Sequence, residues 1–324
     1  MKKNFSTAIR LAATGLLMAI ACSAGAQQAY PNKMIRFIVP YPPGGSATPL
    51  VRFVGQKLTD SWGQQVIVDN RGGGNTIIAS EILVKSPPDG YTILLAGPTH
   101  VVNPSLIPTT YDAFRDFAPV ATLVNSQIIL VINPGVRADN LQELITLAKS
   151  RPGQLNYASA SSGGINHLAG ELFNMMAGVR TQHVPYKGGS QAVTDLMGGQ
   201  VQVYFSTAFV LPQIKSGRIK ALAVTGKTRM PALPQVPTFT EAGLPGFSAD
   251  SWYGVLAPAG TPKPIIDKLS TEFARILAMS DVKEFLDKQG VEPFISSPEQ
   301  FAALMKADMA KWAKVIKTAN IKID

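Results

Sequence analysis

Asn156-Tyr157-Ala158-Ser159-Ala160-Ser161-Ser162-Gly163-Gly164 is a short strand-like run that ends in a cluster of small polar residues. After it the period changes: Leu168, Leu172, Phe173 and Met176 recur at helical spacing, and Gly178 is placed to stop the pattern. A strand, a tight polar turn and an amphipathic helix in that order make half of a βαβ unit.

The same order recurs on both sides of this stretch. Runs at 35–39, 65–68, 92–95, 128–132, 183–186, 201–205 and 219–224 read as further strands of parallel sheets. Between the first two, Leu50, Phe53, Val54 and Leu58 mark a helix that Gly63 ends. Continuous alternation of this kind predicts an α/β fold with helices on both sheet faces. A length of 324 residues exceeds what one compact core usually holds, so two lobes are expected, and 46% hydrophobic content argues against disorder. Ser297-Pro298-Glu299-Gln300 is a capping box with proline at the first helical position, and it predicts a long amphipathic helix packed on one lobe. Pro231, Pro234, Pro237 and Pro245 punctuate 230–246, which reads as a surface excursion before a strand at 252–257.

At the N-terminus, Lys2, Lys3 and Arg10 precede an apolar run at 11–21 and the small residues Ser23, Ala24, Gly25 and Ala26. This is the pattern of a secretory signal peptide over 1–26, with Gln27 as the expected mature start. The sole cysteine, Cys22, falls inside it, so cleavage leaves a chain without thiols and excludes disulfides and cysteine catalysis. Lipidation at Cys22 is the competing reading, although the preceding Ala19-Ile20-Ala21 lacks the usual leucine. Cleavage removes three cations and no acid, which lowers the net charge from +9 to +6. The remaining Lys and Arg are scattered, without a basic run or interleaved aromatics, so nucleic acid is not an expected partner.

Several strands run into turns that could hold an anion. Tyr41-Pro42-Pro43-Gly44-Gly45-Ser46 follows the first, and Arg71-Gly72-Gly73-Gly74-Asn75 the second. Glycines allow close backbone approach, and a helix N-terminus beyond them offers unpaired N–H groups. The turn from Ser159 to Gly164 adds three hydroxyls, and Gly97-Pro98-Thr99-His100 and Ser206-Thr207 place small polar groups at the same kind of position. In open α/β sheets ligands sit at this carboxyl edge.

Catalytic signatures are absent from the sequence. There is no G-x-S-x-G elbow, and His100, His167 and His183 lie apart without metal-ligand spacing, so neither a cofactor nor a metal is expected. His167 and His183 read as packing or surface residues, and His100 as the histidine nearest a ligand. Gly226-Lys227-Thr228 lacks the earlier glycine of a phosphate loop, and Asp281 with Glu284 reads as a solvated helix face.

Ordered matches along the chain carry a resemblance. They include Tyr30-Pro31, the run from Ile35 through Pro43-Gly44-Gly45, Val68-Asp69-Asn70-Arg71, Pro88-Asp89-Gly90-Tyr91-Thr92, Asn156-Tyr157-Ala158-Ser159, His167-Leu168-Ala169-Gly170-Glu171, Val184-Pro185-Tyr186-Lys187-Gly188 and Leu256-Ala257-Pro258-Ala259-Gly260-Thr261-Pro262. With these the chain resembles the TctC/Bug-type extracytoplasmic binding receptors of tripartite tricarboxylate transporters. The resemblance implies a type II periplasmic-binding-protein fold: two lobes, each a mixed, mostly parallel sheet flanked by helices, with the ligand in the cleft between them. Carried over, it places lobe 1 at 27–125 plus 250–324 and lobe 2 at 126–249. It implies a periplasmic monomer that binds a small organic carboxylate and delivers it to membrane permease subunits.

The matching site positions are Pro43, Gly44, Gly45, Ser46, Ala47, Thr48, Thr99, His100, Ser159, Ser161, Ser162, Gly163, Ser206 and Thr207. Many relatives carry an acid where this chain has Thr48, and often Asp where Ser206 stands. Without those acids an anion meets less repulsion, which points to an aliphatic or aromatic dicarboxylate rather than a ligand with an ammonium group. Two other functions fit the same residues: an orphan carboxylate sensor acting through a membrane signalling protein, and a periplasmic hydrolase using a serine of 159–162.

Overall fold

The computed structural model describes residues 30–43, 47–186 and 188–323; the expected signal segment with Cys22, and the turn residues Gly44, Gly45 and Ser46, lie outside the described residues. In chain order the first elements are β1 (Ile35–Val39), α1 (Ala47–Trp62), β2 (Val66–Asn70), α2 (Ile77–Val84), β3 (Thr92–Ala96), α3 (Pro98–Val102) and β4 (Phe117–Ser126). Next come β5 (Ile129–Ile132), α4 (Leu141–Ser150), β6 (Asn156–Ser159), α5 (Ile165–Ala177), β7 (Gln182–Pro185), α6 (Gly189–Met197), β8 (Val203–Ser206), α7 (Leu211–Lys215) and β9 (Lys220–Val224). The chain then runs through β10 (Ser251–Pro258), α8 (Lys263–Leu277), α9 (Ser280–Lys288), β11 (Glu292–Pro293) and α10 (Pro298–Ala319).

Two sheets result, a 6-stranded one ordered β11-β4-β10-β3-β1-β2 and a 5-stranded one ordered β7-β6-β8-β5-β9. Both are covered on their two faces, because alternate residues of a strand point to opposite sides. Ile35, Phe37 and Val39 pack under α1 and α8 with Leu58 and Phe273, whereas Ile38 faces Leu83 and Met305. In the second sheet Leu130 and Ile132 join Leu168 and Phe205, while Ile129 and Val131 face Leu196 and Tyr204.

The strands β1, β2 and β3 are parallel, as are β6, β7 and β8. The expectation of parallel sheets holds for these triplets and fails for the strands beside them. β10 runs antiparallel to β3 and β4, and β5 runs antiparallel to β8 and β9. These reversals carry the chain between sheets: it leaves the first at Ser126 and returns to it at Ser251, and the two residues are direct cross-strand partners.

Between the crossings the proline-rich segment is not a surface excursion. Met230, Leu233, Val236, Phe239, Leu244 and Phe247 are all buried in the second sheet's cores. The turn residues punctuate the backbone while these six side chains anchor it, and the hydrophobic term decides. Beside the return crossing, Asp250 is half-buried and accepts hydrogen bonds from Thr225 Oγ1 and the Asn125 side chain. Burial raises its pKa, and those two bonds oppose the rise.

Gly63 and Gly178 end α1 and α5 in left-handed backbone, as their places in the sequence predict. The capping box of α10 forms, with Ser297 Oγ accepting from Gln300 N at 3.2 Å and Gln300 Oε1 accepting from Ser297 N at 2.9 Å. That helix does not stay on one sheet's core. Phe301 and Met305 pack against the first sheet, and Trp312, Val315 and Ile316 join the cluster of the second.

Candidate functional site

The parallel strands of each sheet end at one edge, β1, β2 and β3 at Val39, Asn70 and Ala96, and β6, β7 and β8 at Ser159, Pro185 and Ser206. Antiparallel β4 and β10 bring Ser126 and Ser251 to the first of these edges, and β5 begins at the second, where Ile129 pairs with Ser206. The two carboxyl edges therefore meet at the crossings.

In the first sheet, Ala47 and Thr48 are buried at the start of α1. Thr48 Oγ1 accepts from Asn70 Nδ2 at 2.8 Å, and the same amide group donates to the Tyr41 carbonyl at 2.9 Å. This ties the end of β2 to the turn after β1, and Pro43 is left exposed. Thr99 is half-buried and hydrogen-bonded to the Tyr41 hydroxyl. His100 departs from its expected place near a ligand. Only 2% exposed, it points its Nε2 at the Ala113 carbonyl, 3.2 Å away, and lies between Tyr111 and Phe117. Burial pushes its pKa down to about 4 against a smaller opposing effect of the Ala113 carbonyl, so it is a neutral core residue.

In the second sheet the post-β6 turn is wired internally. Ser159 is fully buried, donates from Oγ to the Ser161 carbonyl at 3.0 Å and lies 2.7 Å from His183 Nε2. Its single proton serves the carbonyl, so His183 Nε2 is assigned as the donor in the second contact. Gly163, at φ +71°, donates its N–H to His167 Nδ1 at 3.0 Å. The two imidazoles stack with centroids 3.6 Å apart and planes 8° from parallel. They do not lie apart, as their positions in the sequence suggest. Burial lowers His167 to about 3, with the neighbouring His183 adding to the effect, and burial lowers His183 to about 4. Ser159 and His183 thus have the atom types of a nucleophile and its base, but the hydroxyl is fully buried and its proton is already committed. Of the turn's other hydroxyl residues, Ser161 is exposed and Ser162 half-buried.

The post-β8 turn is built differently. Ser206 is fully buried and donates to the Thr207 carbonyl at 3.1 Å, whereas Thr207 itself lines a cavity of about 610 Å3. Residues from both sheets enclose this cavity, including Leu50, Ser126, Ser251 and Tyr253 from the first and Phe209 and Leu211 from the second. Its other wall is the end of α9 and the residues after it, 285–291. Gly290 sits at a point of contact between the two sides, since a Cβ there would come within 2.4 Å of Ala208 Cβ.

Of the expected site residues that are described, Thr207 alone lines this cavity; Thr48, Ser159 and Ser206 brace the turns, and His100 belongs to the core. Sequence reading assigned no role to Tyr41 and Tyr253, whose rings meet edge-on at 6.0 Å. Tyr41 was legible as part of a post-strand turn. The wall at 285–291 carried no signal, because it reaches the cleft only through tertiary packing. Ser126, Thr207 and Ser251 put hydroxyl groups, which can donate to a small anion, on the lining of this cavity.

Known proteins share this architecture. The chain is 37% identical to BugT of Bordetella pertussis over 319 residues, spanning 97% of this chain and 98% of that one. It superposes on an adipate-bound protein of R. palustris with a TM-score of 0.82 at 34% identity, covering 90% of this chain and 99% of that chain. For MatC from Rhodopseudomonas palustris, solved with bound malate, the TM-score is 0.78 at 29% identity, with 89% and 100% covered. With the model of the tripartite tricarboxylate transporter family receptor matching residues 50–321, the chain belongs to the TctC family of solute-binding proteins.

Proposed function

We propose that this protein is an extracytoplasmic receptor that closes two lobes, 27–125 with 250–324 and 126–249, on a small organic carboxylate. The observation that supports this reading is a cavity enclosed from both sheets, with strand-edge residues Ser126, Ser251 and Tyr253 from the first and Thr207 and Phe209 from the second, and with hydroxyl groups among its lining. A carboxylate held by such donors is not tied to a fixed counter-charge, so lobe closure can supply the second half of its hydrogen bonds. The adipate and malate in the two R. palustris relatives support the ligand class. The leader pattern at 1–26 supports export to the periplasm, and the family supports delivery to a transporter; the receptor is proposed to act as a monomer.

A ligand that binds only the folded chain raises its melting temperature. A thermal-shift panel of mono- and dicarboxylates, amino acids and sugars tests the reading. At 100 times its Kd, a carboxylate is expected to add about 2.7 kcal/mol of stability, with amino acids and sugars inert. Stabilisation by amino acids or sugars with carboxylates inert overturns it.

A further inference from the structure

The cavity between the lobes has more apolar wall than a short diacid can use. Its volume of about 610 Å3 falls within the range of roughly 300–1,000 Å3 typical of pockets for drug-sized ligands. Leu50, Val124, Leu211 and Leu286 line it together with two phenyl rings, Phe209 from the second sheet's side and Phe285 from α9. Phe285 is held by stacking on Phe53, with centroids 4.2 Å apart and planes 11° from parallel. Its remaining surface is therefore presented from a fixed support.

Phe209 is 41% exposed, and among the exposed large hydrophobic residues described it alone lines this cavity. Its ring also has a fitted place: a Cβ on Gly189 would come within 2.8 Å of Phe209 Cζ, so glycine there leaves room for it. An aromatic side chain left exposed inside a cavity between lobes is apolar surface awaiting burial. Its polar lining includes Ser126, Thr207 and Ser251 from the strand edges and the exposed charged residues Lys215, Asp287 and Lys288. Lys288 is paired with Glu284 at 2.7 Å, while Lys215 makes no ion pair among the described residues.

We propose that this cavity is a specificity subsite for the ring of an aryl carboxylate, held between Phe209 and Phe285 with its carboxylate toward the strand-edge hydroxyls. The assignment rests on the carboxylate-receptor reading and narrows its ligand. A flat ring buries area against both phenyl groups and gains from their offset or edge contacts, which a flexible four- or six-carbon diacid cannot match. Lys215 contributes attraction for an anion at the mouth.

Calorimetric titration of the mature full-length chain with phenylacetate, benzoate, adipate and malate tests the proposal. Phenylacetate or benzoate is expected to bind about tenfold more tightly than either diacid, as an aromatic contact of this kind allows. Phe209→Ala is expected to weaken the aryl acid about tenfold and adipate less than about twofold, with an unchanged melting temperature because the ring is partly exposed. Phe285→Leu, which keeps apolar volume but removes the flat face, is expected to act in the same direction. Tighter binding of the diacids, or equal losses for both ligand types in the variants, overturns the subsite and leaves the receptor reading intact. Failure of all four acids to bind overturns both.

Discussion

The turn after β6 and the turn after β8 read alike in sequence, each a strand running into small polar residues and then a helix. Folded, they do opposite things. The first spends its groups on itself: Ser159 on Ser161 and His183, Gly163 on His167, with Leu106 and Ile323 closing over the glycine. The second is braced only by Ser206 and sends Thr207 and Phe209 into a cavity. One turn is therefore a pre-ordered wall whose groups are satisfied internally, and the other is the apolar, partly exposed wall of a cavity. An apolar wall can discriminate among ligands by what is buried against it.

The largest expected effect breaks the ordered wall. Gly163 has φ +71°, and a Cβ there would come within 2.5 Å of both Ile323 Cδ1 and Leu106 Cδ1. Gly163→Ala is expected to cost about 3 kcal/mol from left-handed strain plus overpacking, measured by urea unfolding. Thr207→Ala on the other wall is expected to stay within about 0.5 kcal/mol. A Gly163→Ala cost equally small would show that the two walls do not differ in rigidity.

Acid sharpens the same contrast. His167 and His183 have folded pKa values of about 3 and about 4, below the ordinary 6.5, because burial disfavours the charged ring. Both are neutral in both states above pH 6.5. As pH falls below 6.5 the unfolded chain takes up protons that the folded chain refuses, so stability is lost down through the folded values and the loss levels off only below about 3. The denaturation midpoint followed from pH 7.5 to 4 is expected to fall, and His183→Gln is expected to fall less steeply. Equal slopes for the two proteins would remove the stacked pair as a source of the effect. His100, lowered to about 4 by burial, contributes the same sign in both proteins and cancels in the comparison.

A smaller effect on the ordered wall lies at Ile323. Ile323→Ala removes one of the two side chains closing over Gly163 and is expected to cost about 1 kcal/mol, given its half-buried position. It should also weaken carboxylate binding by a fewfold, as titration would show; unchanged affinity would leave the tail with a structural part only.

Much of the fold was legible because local chemistry and tertiary structure agree. Gly63, Gly178 and the Ser297–Gln300 box stop or start helices where the residues say they should. What was illegible depends on contacts distant in sequence. β4 is a long strand recognised only when β10 pairs with it, and the buried segment 230–246 is anchored by hydrophobic residues without strict periodicity. In the candidate site, the post-strand turns were legible, but the division of labour within them was not. Hydroxyl residues at a turn look the same whether their protons face a cleft or a carbonyl. His167 and His183 meet only because α5 and β7 both pack beside β6.

The central claim, that the converging strand edges hold a carboxylate, is tested most directly by titrating the mature chain calorimetrically with an organic acid that stabilises it and with the methyl ester of that acid. The account predicts saturable one-to-one binding of the acid and a loss of at least about a hundredfold for the ester, since replacing a charged acceptor removes charge-assisted hydrogen bonds worth about 1.5–3 kcal/mol each. Equal affinity for acid and ester would contradict it.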